Sequence, residues 1–454
     1  MGLTLLVICA ILLFSIFIGA PVSFALGFTG IVIALIYLEP QQLFQMGSIA
    51  FSQGTSMNQL VAPLFILMAE ALAQGDVASD IFMVINKWMG KIRGGLALSA
   101  TLACTVFAAL CGSSPATAAA IGRISISEMV RRGYSAAFAT GTVASGGTLG
   151  IMIPPSITFV VYGILTENSI VNLFMAGVLP GLMMSAMLCG FIIFQAWRNP
   201  ALVGEGEGEL KAEVKAAAQS AEGLTSTLAT AVMPEYHGDL KRDIRLLFPP
   251  LLLIAVVLGS LYTGFTTPSE SAGVGAIGAL VIVASLGRFN PRFLIGVLKA
   301  SARTSTMIIF LIICGMGLTY MVSYLGLAQE IANAIVGSGM NKWVILTLIY
   351  ILWFILGCLM DPMSMVVLTI PFIYPTMLKL GFDPIWLGVV STLSVEIGMI
   401  TPPVGLNLFI LRAITGIPMT TVMKGSLPFV IVLVLALIII TLFPEIALFL
   451  PYLK

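Results

Sequence analysis

The residues best suited to bind an ion or a small molecule stand where long apolar segments are interrupted. The first interruption is Gly-Ser-Ser-Pro at 112–115, and the second is Pro-Pro at 154–155. Two similar groups follow at 360–363 and 401–403. Glycine and proline break the hydrogen-bond ladder of a helix and free its carbonyl groups. Such carbonyls can replace the hydration shell of a sodium ion, while helix N-terminal amides can face a carboxylate.

These four interruptions predict two sodium sites flanking one anion site. The first sodium site is expected at the breaks in the first half of the chain, from Cys111, Ser113, Gly150, Ile153 and Pro155. The second is expected at the corresponding breaks in the second half, from Gly357, Asp361, Gly398, Thr401 and Val404. For the anion we expect hydroxyl, amide and carboxyl side chains at the same depth: Ser113, Ser114, Ser156, Thr158, Asp361 and Asn407.

Asp361 is the most suggestive acid, because it lies at a break with no basic residue near it in sequence. Carboxylates inside a membrane are costly and often functional. Asp361 could neutralise a cation, hold a coupling proton, or cap the half-helix that begins at Pro362. Glu396, two residues before Gly398, ranks below Asp361 because it could pair within the helix bundle. No arginine is expected near the midplane: Arg123 lies about 12 Å along a helix from the first tip.

The elements that carry these residues must be membrane helices. Of the 454 residues, 59% are hydrophobic and 9% are charged, where a soluble domain is about one-quarter charged. Several stretches reach the roughly 20 apolar residues that a spanning helix needs. The six cysteines lie in apolar segments and are expected to be packed side chains, and the single histidine, His237, leaves little to build a transition-metal site. We expect the lipid bilayer, and no nucleic acid, as the surroundings of this chain.

The two halves of the chain repeat each other. Pro154-Pro155 matches Pro402-Pro403 at a shift of 248 residues, and the same shift places Ser113 on Asp361 and Gly150 on Gly398. This coincidence indicates an internal duplication. The predicted fold is an all-α polytopic membrane protein with two inverted-topology repeats, re-entrant helical hairpins and broken helices. The first repeat is predicted at 1–195, with a hairpin at about 95–130 and a broken helix at about 136–166. A polar cytoplasmic linker is predicted at 196–245, and the second repeat at 246–454, with a hairpin at about 343–378 and a broken helix at about 383–415.

The basic residues give the predicted orientation. If the first hairpin opens to the cytoplasm, the N-terminus and the C-terminus lie outside and the second hairpin opens from the opposite face. The outside basic residues are then Lys342, Lys379 and Lys454, and the other 18 of the 21 Lys and Arg lie inside or toward the inside. The positive-inside rule favours this topology.

Three motifs resemble the large membrane subunit of tripartite ATP-independent periplasmic (TRAP) transporters, a C4-dicarboxylate permease-like family. They are Gly-Ser-Ser-Pro-Ala-Thr-Ala-Ala at 112–119, Gly-Gly-Thr-Leu-Gly-Ile-Met-Ile-Pro-Pro-Ser at 146–156, and Thr-Pro-Pro-Val-Gly-Leu-Asn at 401–407. The resemblance extends through nearly the whole chain, with one departure: the linker is longer and more acidic than the family requires. It implies a location in the bacterial inner membrane and an elevator-type transport domain on a scaffold, with sodium ions as the coupling ions.

The same resemblance implies two protein partners and a class of substrate. The partners are a small four-helix membrane subunit, expected as a separate polypeptide, and a periplasmic substrate-binding protein that delivers a small organic anion. C4-dicarboxylates, sialic acids, sugar acids and keto acids all remain open as substrates. The implied function is sodium-driven uptake of such an anion.

Three other classes of function compete with this one. A permease subunit of an ATP-driven importer would need a coupling helix for its ATPase and no inverted broken helices. A channel would share the broken helices and stays open. We expect no enzymatic activity, because Ser113 and Ser114 have no histidine partner and one membrane aspartate is not an aspartyl dyad.

Overall fold

The computed structural model describes residues 2–37, 40–204 and 239–453, and these residues form helices and no named strand. The first half contains α1 (Gly2–Phe17), α2 (Val22–Tyr37), α3 (Pro40–Thr55), α4 (Val61–Gln74), α5 (Val77–Met89), α6 (Gly95–Cys111), α7 (Ser114–Arg131), α8 (Ala136–Met152), α9 (Ile157–Thr166) and α10 (Ile170–Arg198). The second half contains α11 (Leu240–Tyr262), α12 (Pro268–Ser285), α13 (Pro291–Tyr324), α14 (Leu327–Gly337), α15 (Lys342–Leu359), α16 (Pro362–Lys379), α17 (Pro384–Met399), α18 (Leu406–Thr415), α19 (Met419–Leu442) and α20 (Glu445–Leu448). His237 and most of the predicted linker lie outside the described residues.

Several of these helices are long and apolar enough to cross a membrane. Among the described residues, six qualify by length and composition: α10, α11, α12, α13, α15 and α19. Two bent pairs, α4 with α5 and α8 with α9, bring the number to eight if each pair is one span. The pairs bend by 61° and 40°, respectively. The all-α polytopic fold with broken helices, expected from the sequence, is confirmed.

The positions of the helix ends repeat between the two halves, at the same shift as the sequence motifs. The bounds of α16 lie 248 residues after those of α7 at both ends, and α15 ends 248 residues after α6. One difference is that α3 and α4 are separated by a short 3-10 turn, whereas the corresponding part of the second half is the single 34-residue helix α13. The core of the duplication is therefore the hairpin with its broken helix, and the outer helices have diverged.

Contacts at the helix ends establish that the repeats are inverted. Where α7 ends, Tyr134 pairs with Val203, just after α10; we call this end of the molecule the basic face. Where α16 ends, Phe382 lies 5.5 Å from the Lys342 ammonium at the start of α15, and we call this the opposite face. Both helices start at an interior tip, so α7 and α16 run in opposite directions. In agreement, α8 begins beside the start of α19, whereas the Trp386 side chain at the start of α17 donates to the Ile440 carbonyl near the end of α19.

The opposite face is held by polar contacts at the start of α17. The Asp383 carboxylate accepts from the backbone amides of Ile385 and Trp386, which caps the helix. Its second oxygen accepts from the Tyr452 hydroxyl at 2.6 Å, and this hydrogen bond raises the pKa of Tyr452 to about 12. The Tyr162 hydroxyl of α9 donates to the Pro384 carbonyl at 2.7 Å. These bonds tie the end of the chain and the first broken helix to the second.

The two long segments before the Pro-Pro breaks are enclosed by protein. Every residue of α8 from Phe138 to Met152 is buried, as is every residue of α17 from Ile385 to Met399. Small side chains make this possible where α8 crosses α19. A Cβ on Gly425 would meet the Ala137 carbonyl, and a Cβ on Gly141 would meet the Gly425 carbonyl. The two backbones are therefore in direct contact.

We predict that Gly425→Ala destabilises the protein. Its new methyl group would meet backbone atoms that cannot rotate away, and overpacking of this kind costs about 1–3 kcal/mol. The matched control is Gly190→Ala in α10, where nothing lies within 4 Å of the added Cβ. The measurement is the apparent melting temperature of the detergent-solubilised protein. Equal melting temperatures for the two variants would contradict the close crossing of α8 and α19.

Candidate functional site

The first hairpin tip is joined to the first Pro-Pro break by backbone groups. Gly112 has a φ of +63°, which favours glycine, and its carbonyl accepts from the Ile157 amide at 3.3 Å. The Ser113 carbonyl accepts from the hydroxyl of Thr117 at 2.9 Å. Gly150 packs against that same carbonyl, since a Cβ there would lie 2.6 Å from the oxygen. The tip and the break therefore form one compact unit lined by carbonyl oxygens.

The second tip and the second break repeat this arrangement. The Gly405 amide donates to the Cys358 carbonyl at 3.1 Å. Gly357 and Gly398 pack backbone against backbone, because a Cβ on Gly398 would lie 2.7 Å from the Gly357 Cα. The Thr401 hydroxyl donates to the Ile397 carbonyl at 2.6 Å. Both Pro-Pro peptide bonds, 154–155 and 402–403, are cis.

Asp361 caps the returning half-helix α16. One carboxylate oxygen accepts from the Ser364 amide at 3.0 Å, and the other accepts from the Ser364 hydroxyl at 2.5 Å. The equivalent residue of the first half, Ser113, has the extended backbone of a cap but makes no side-chain cap bond. Of the roles considered for Asp361, the cap is therefore present, and the carboxylate still has lone pairs for a second partner.

A cavity of about 410 Å³ lies beside the second tip. On one side it is lined by Asp361, Cys358 and Val404, and on the other by the turn between α1 and α2 at 19–23 and by Met307 of α13. Asp361 and Val404 were both predicted as ligands. Two of the five residues predicted for the second sodium site, Asp361 and Val404, therefore line a cavity between the hairpin and the outer helices.

The predicted residues fall into three groups in the structure. Those of the first sodium site lie at the first tip and break: Cys111, Ser113, Gly150, Ile153 and Pro155. Those of the second lie at the second tip and break: Gly357, Asp361, Gly398, Thr401 and Val404. The predicted substrate residues are split. Ser114 and Asn407 bond each other, Ser156 caps α9 by accepting from the Phe159 amide, and the Thr158 hydroxyl is buried with no hydrogen-bond partner among the described residues.

Glu396, which the sequence ranks below Asp361, makes a buried contact between the two halves. Its side chain is fully buried, and one carboxylate oxygen accepts from the Ser114 hydroxyl at 2.8 Å. This bond connects α17 of the second half to the tip of α7 in the first half. The sequence offered one signal, which is that Glu396 lies one helical turn or less from the break at Gly398. The partner, 282 residues earlier, carried no signal of its own.

Comparisons with known proteins agree with this geometry. The profile of the family described as "Tripartite ATP-independent periplasmic transporter, DctM component" matches residues 8–446. The chain belongs to this family. It is 36% identical over 432 residues to the C4-dicarboxylate TRAP transporter large permease protein DctM of Pseudomonas aeruginosa, an alignment that covers 94% of this chain and 93% of that protein. The large permease is a membrane-integral subunit, and the family resemblance inferred from the motifs is confirmed.

Other relatives in this family carry names with different substrates. The chain is 30% identical over 395 residues to the ectoine/5-hydroxyectoine TRAP transporter large permease protein UehC of Ruegeria pomeroyi, covering 86% of this chain and 85% of that protein. It is 30% identical over 433 residues to the isethionate TRAP transporter permease protein DctMQ of Oleidesulfovibrio alaskensis, covering 95% of this chain and 64% of that protein. Membership of the TRAP family therefore leaves the substrate of this permease open.

A solved structure has the same fold. The crystal structure of the YdaH transporter of Alcanivorax borkumensis, described as having an unusual topology, matches with a TM-score of 0.54 over 89% of this chain and 90% of that one. At 15% sequence identity the likeness concerns the fold alone.

The two roles of Asp361 can be separated by its substitutions. Asparagine is as good an N-cap as aspartate, whereas loss of a cap to alanine costs about 0.5–2 kcal/mol. We therefore predict that Asp361→Ala lowers the melting temperature of the purified permease, whereas Asp361→Asn leaves it nearly unchanged. Equal losses in the two variants would mean that the charge, and not the cap, stabilises the tip.

Proposed function

We propose that this TRAP permease carries a small organic anion, such as a C4-dicarboxylate or a sugar acid, into the cell by sodium-driven secondary transport. The observation that carries the proposal is the pair of inverted hairpin tips, each packed by backbone groups against a Pro-Pro break at the same depth. Each tip and break brings together backbone carbonyl oxygens, which keep a second lone pair beyond the hydrogen bond that they accept. Sodium is the ion that such oxygen ligands suit, because it binds carbonyl, hydroxyl and carboxylate groups.

The proposed sodium ligands fit this chemistry. The first set supplies backbone carbonyls, and the second adds the Asp361 carboxylate and the Thr401 hydroxyl. Among the described residues, no group of three or more His, Cys, Asp or Glu side chains could hold another metal. When bound, sodium would supply positive charge beside the anion, while the chain's own residues orient both.

An elevator mechanism suits the position of the cavity. The second hairpin tip faces the α1–α2 turn and Met307 of α13 across a space of about 410 Å³. We propose that the two hairpins and their broken helices move as one body against these outer helices. The bonds of the Tyr162 hydroxyl to Pro384 and of Ser114 to Glu396 would hold that body together during the movement.

Two partners follow from family membership. We propose that a periplasmic binding protein delivers the substrate and that a small four-helix membrane subunit binds the outer helices. The isethionate relative supports the second partner. Its name, DctMQ, adds the letter Q to the name DctM, and this chain covers only 64% of its length, so that protein contains a further segment.

The charge distribution supports an orientation in which the basic face is cytoplasmic. Several basic residues make contacts at that face: Lys87 with Asp243, Arg131 and Arg132 with Glu128, Arg245 with the Ser285 carbonyl, and Arg288 with Asp80. At the opposite face lie Lys342, which contacts the Phe382 ring, and Lys379, which donates to the Asn333 side chain. The excess of positive charge on one face is typical of the cytoplasmic side.

The orientation predicts which positions a membrane-impermeant maleimide reaches in whole cells. After the native cysteines are replaced, a cysteine in place of Lys342 should be labelled from the periplasm, and one in place of Arg292 should be labelled only after permeabilisation. Both side chains are exposed, so access depends on the side of the membrane. The reverse labelling pattern would overturn the proposed orientation.

Uptake into proteoliposomes tests the function itself. We expect the permease, reconstituted with its small partner, to accumulate a labelled organic anion only with an inward sodium gradient and a binding protein outside. Asp361→Asn should abolish this uptake without unfolding the protein, because it removes the charge and keeps the cap. Glu330→Gln, in the exposed part of α14, is the matched control and should transport normally.

The alternatives give different results in the same assay. A channel would equilibrate the substrate without sodium and without accumulation. A subunit of an ATP-driven importer would require ATP and an ATPase. Either result, with intact Glu330→Gln protein, would reject sodium-driven transport.

A further inference from the structure

Glu396 lies at the centre of a buried group of oxygen atoms between the two halves. The Ser114 hydroxyl oxygen is 2.8 Å from one Glu396 carboxylate oxygen and 2.7 Å from the Gly147 carbonyl. The Asn407 side-chain amide donates to the same hydroxyl at 3.3 Å. The side chains of Glu396, Ser114 and Asn407 are all fully buried. We call Glu396, Ser114, Asn407 and the Gly147 carbonyl the midplane cluster.

When Glu396 is ionised, the hydrogen atoms in the midplane cluster do not suffice for its contacts. A serine hydroxyl has one hydrogen, whereas the Gly147 carbonyl and an ionised Glu396 can only accept. Ser114 can therefore donate its hydrogen to only one of these two oxygens. In the other short contact, two oxygen atoms face each other with no hydrogen between them. The second carboxylate oxygen of Glu396 and the side-chain oxygen of Asn407 are buried, and neither has a hydrogen-bond partner among the described residues. The cluster thus has an excess of negative oxygen atoms.

Among the described residues, no basic side chain pairs with Glu396 to compensate for this excess. The helices packed against α17, together with α7, carry seven lysines or arginines: Arg123, Arg131, Arg198, Lys342, Lys379, Arg412 and Lys424. Within the described part of the chain, Glu396 forms no ion pair with any of them. A buried carboxylate without a cation is strongly unfavourable, and buried polar atoms are nearly always partnered.

We propose that the midplane cluster binds a sodium ion, at a third site distinct from the two at the hairpin tips. The donors are all oxygens, which suits a hard cation, and one carboxylate balances the charge of a monovalent ion. The tip site uses the Ser113 carbonyl, which points to Thr117 and Gly150, whereas the third site uses the Ser114 hydroxyl, which points to Glu396. The ion would join α7 of the first half to α17 and α18 of the second. The role of this ion in transport rests on the sodium coupling proposed above. Its binding to the midplane cluster does not depend on that coupling.

Sodium binding to the purified full chain tests the third site. Equilibrium binding of radioactive sodium should saturate at one ion fewer per chain in Glu396→Gln than in Glu330→Gln, the exposed control. Asp361→Asn should also lose one ion, and the double variant of Asp361 and Glu396 should lose two. Asn407→Ala, which removes one unpartnered oxygen and keeps the carboxylate, should weaken binding of that ion several-fold. Each variant is first checked for a monodisperse size-exclusion profile, and Asn407→Ala provides the test if Glu396→Gln does not fold.

The outcomes distinguish this proposal from the proposed function. If the control binds no sodium at all, sodium coupling fails and the third site fails with it. If Glu396→Gln or folded Asn407→Ala binds sodium as the control does, only the third site is overturned. Infrared spectra separate sodium from a proton: a protonated carboxyl band that disappears in Glu396→Gln but persists in saturating sodium would also overturn the proposal.

Discussion

The structure depends on the need to satisfy backbone polar groups away from water. In hydrocarbon an unpaired amide or carbonyl costs several kcal/mol, so a chain can unwind at membrane depth only where protein encloses it. Here a carbonyl at each hairpin tip accepts from an amide just beyond the break of the same half: Gly112 from Ile157 and Cys358 from Gly405. The enclosed helices α8 and α17 follow from this, since they lead to the breaks and must be covered. The glycines that let backbones touch, such as Gly150 and Gly398, are the means of bringing tip and break together.

The two halves share this backbone solution but differ in charge. Asp361 of the second half corresponds to Ser113 of the first, and Glu396 corresponds to Thr148. Both acids at the breaks therefore belong to one repeat, and both have hydroxyl counterparts in the other. A symmetric frame with an asymmetric charge distribution can hold two ion sites of unequal strength. It also places the buried carboxylate of Glu396 against the serine hydroxyl of the other half, so the halves are joined at the midplane by polar atoms as well as by packing.

The sequence was sufficient for the features that act locally. Glycine, proline and serine at 112–115 terminate one helix and start the next by their own backbone preferences, so the tip could be located without knowledge of the fold. The internal repeat carries the same kind of break in the second half, which strengthened the prediction. The all-α fold with broken helices was predicted correctly. Contacts between distant segments could not be predicted in this way. The bond from Ser114 to Glu396 spans 282 residues, and no periodicity or motif records it. The choice between cap and ligand for Asp361 was equally hidden, because both roles use the same carboxylate and only the position of Ser364 reveals the cap.

The charges near the tips bear on why an anion transporter would need a cation at all. The described cavity wall presents Asp361 and no lysine or arginine, and the buried Glu396 has no ion-pair partner among the described residues. The organic anion of the proposed function would meet negative charge first in this region. Under the proposed function, sodium ions bound at the tips would reverse the sign of the local field, so that the anion binds well only after them. Coupling would then be a consequence of electrostatics: the substrate alone is repelled, and sodium and substrate together form a nearly neutral load that can cross an apolar barrier.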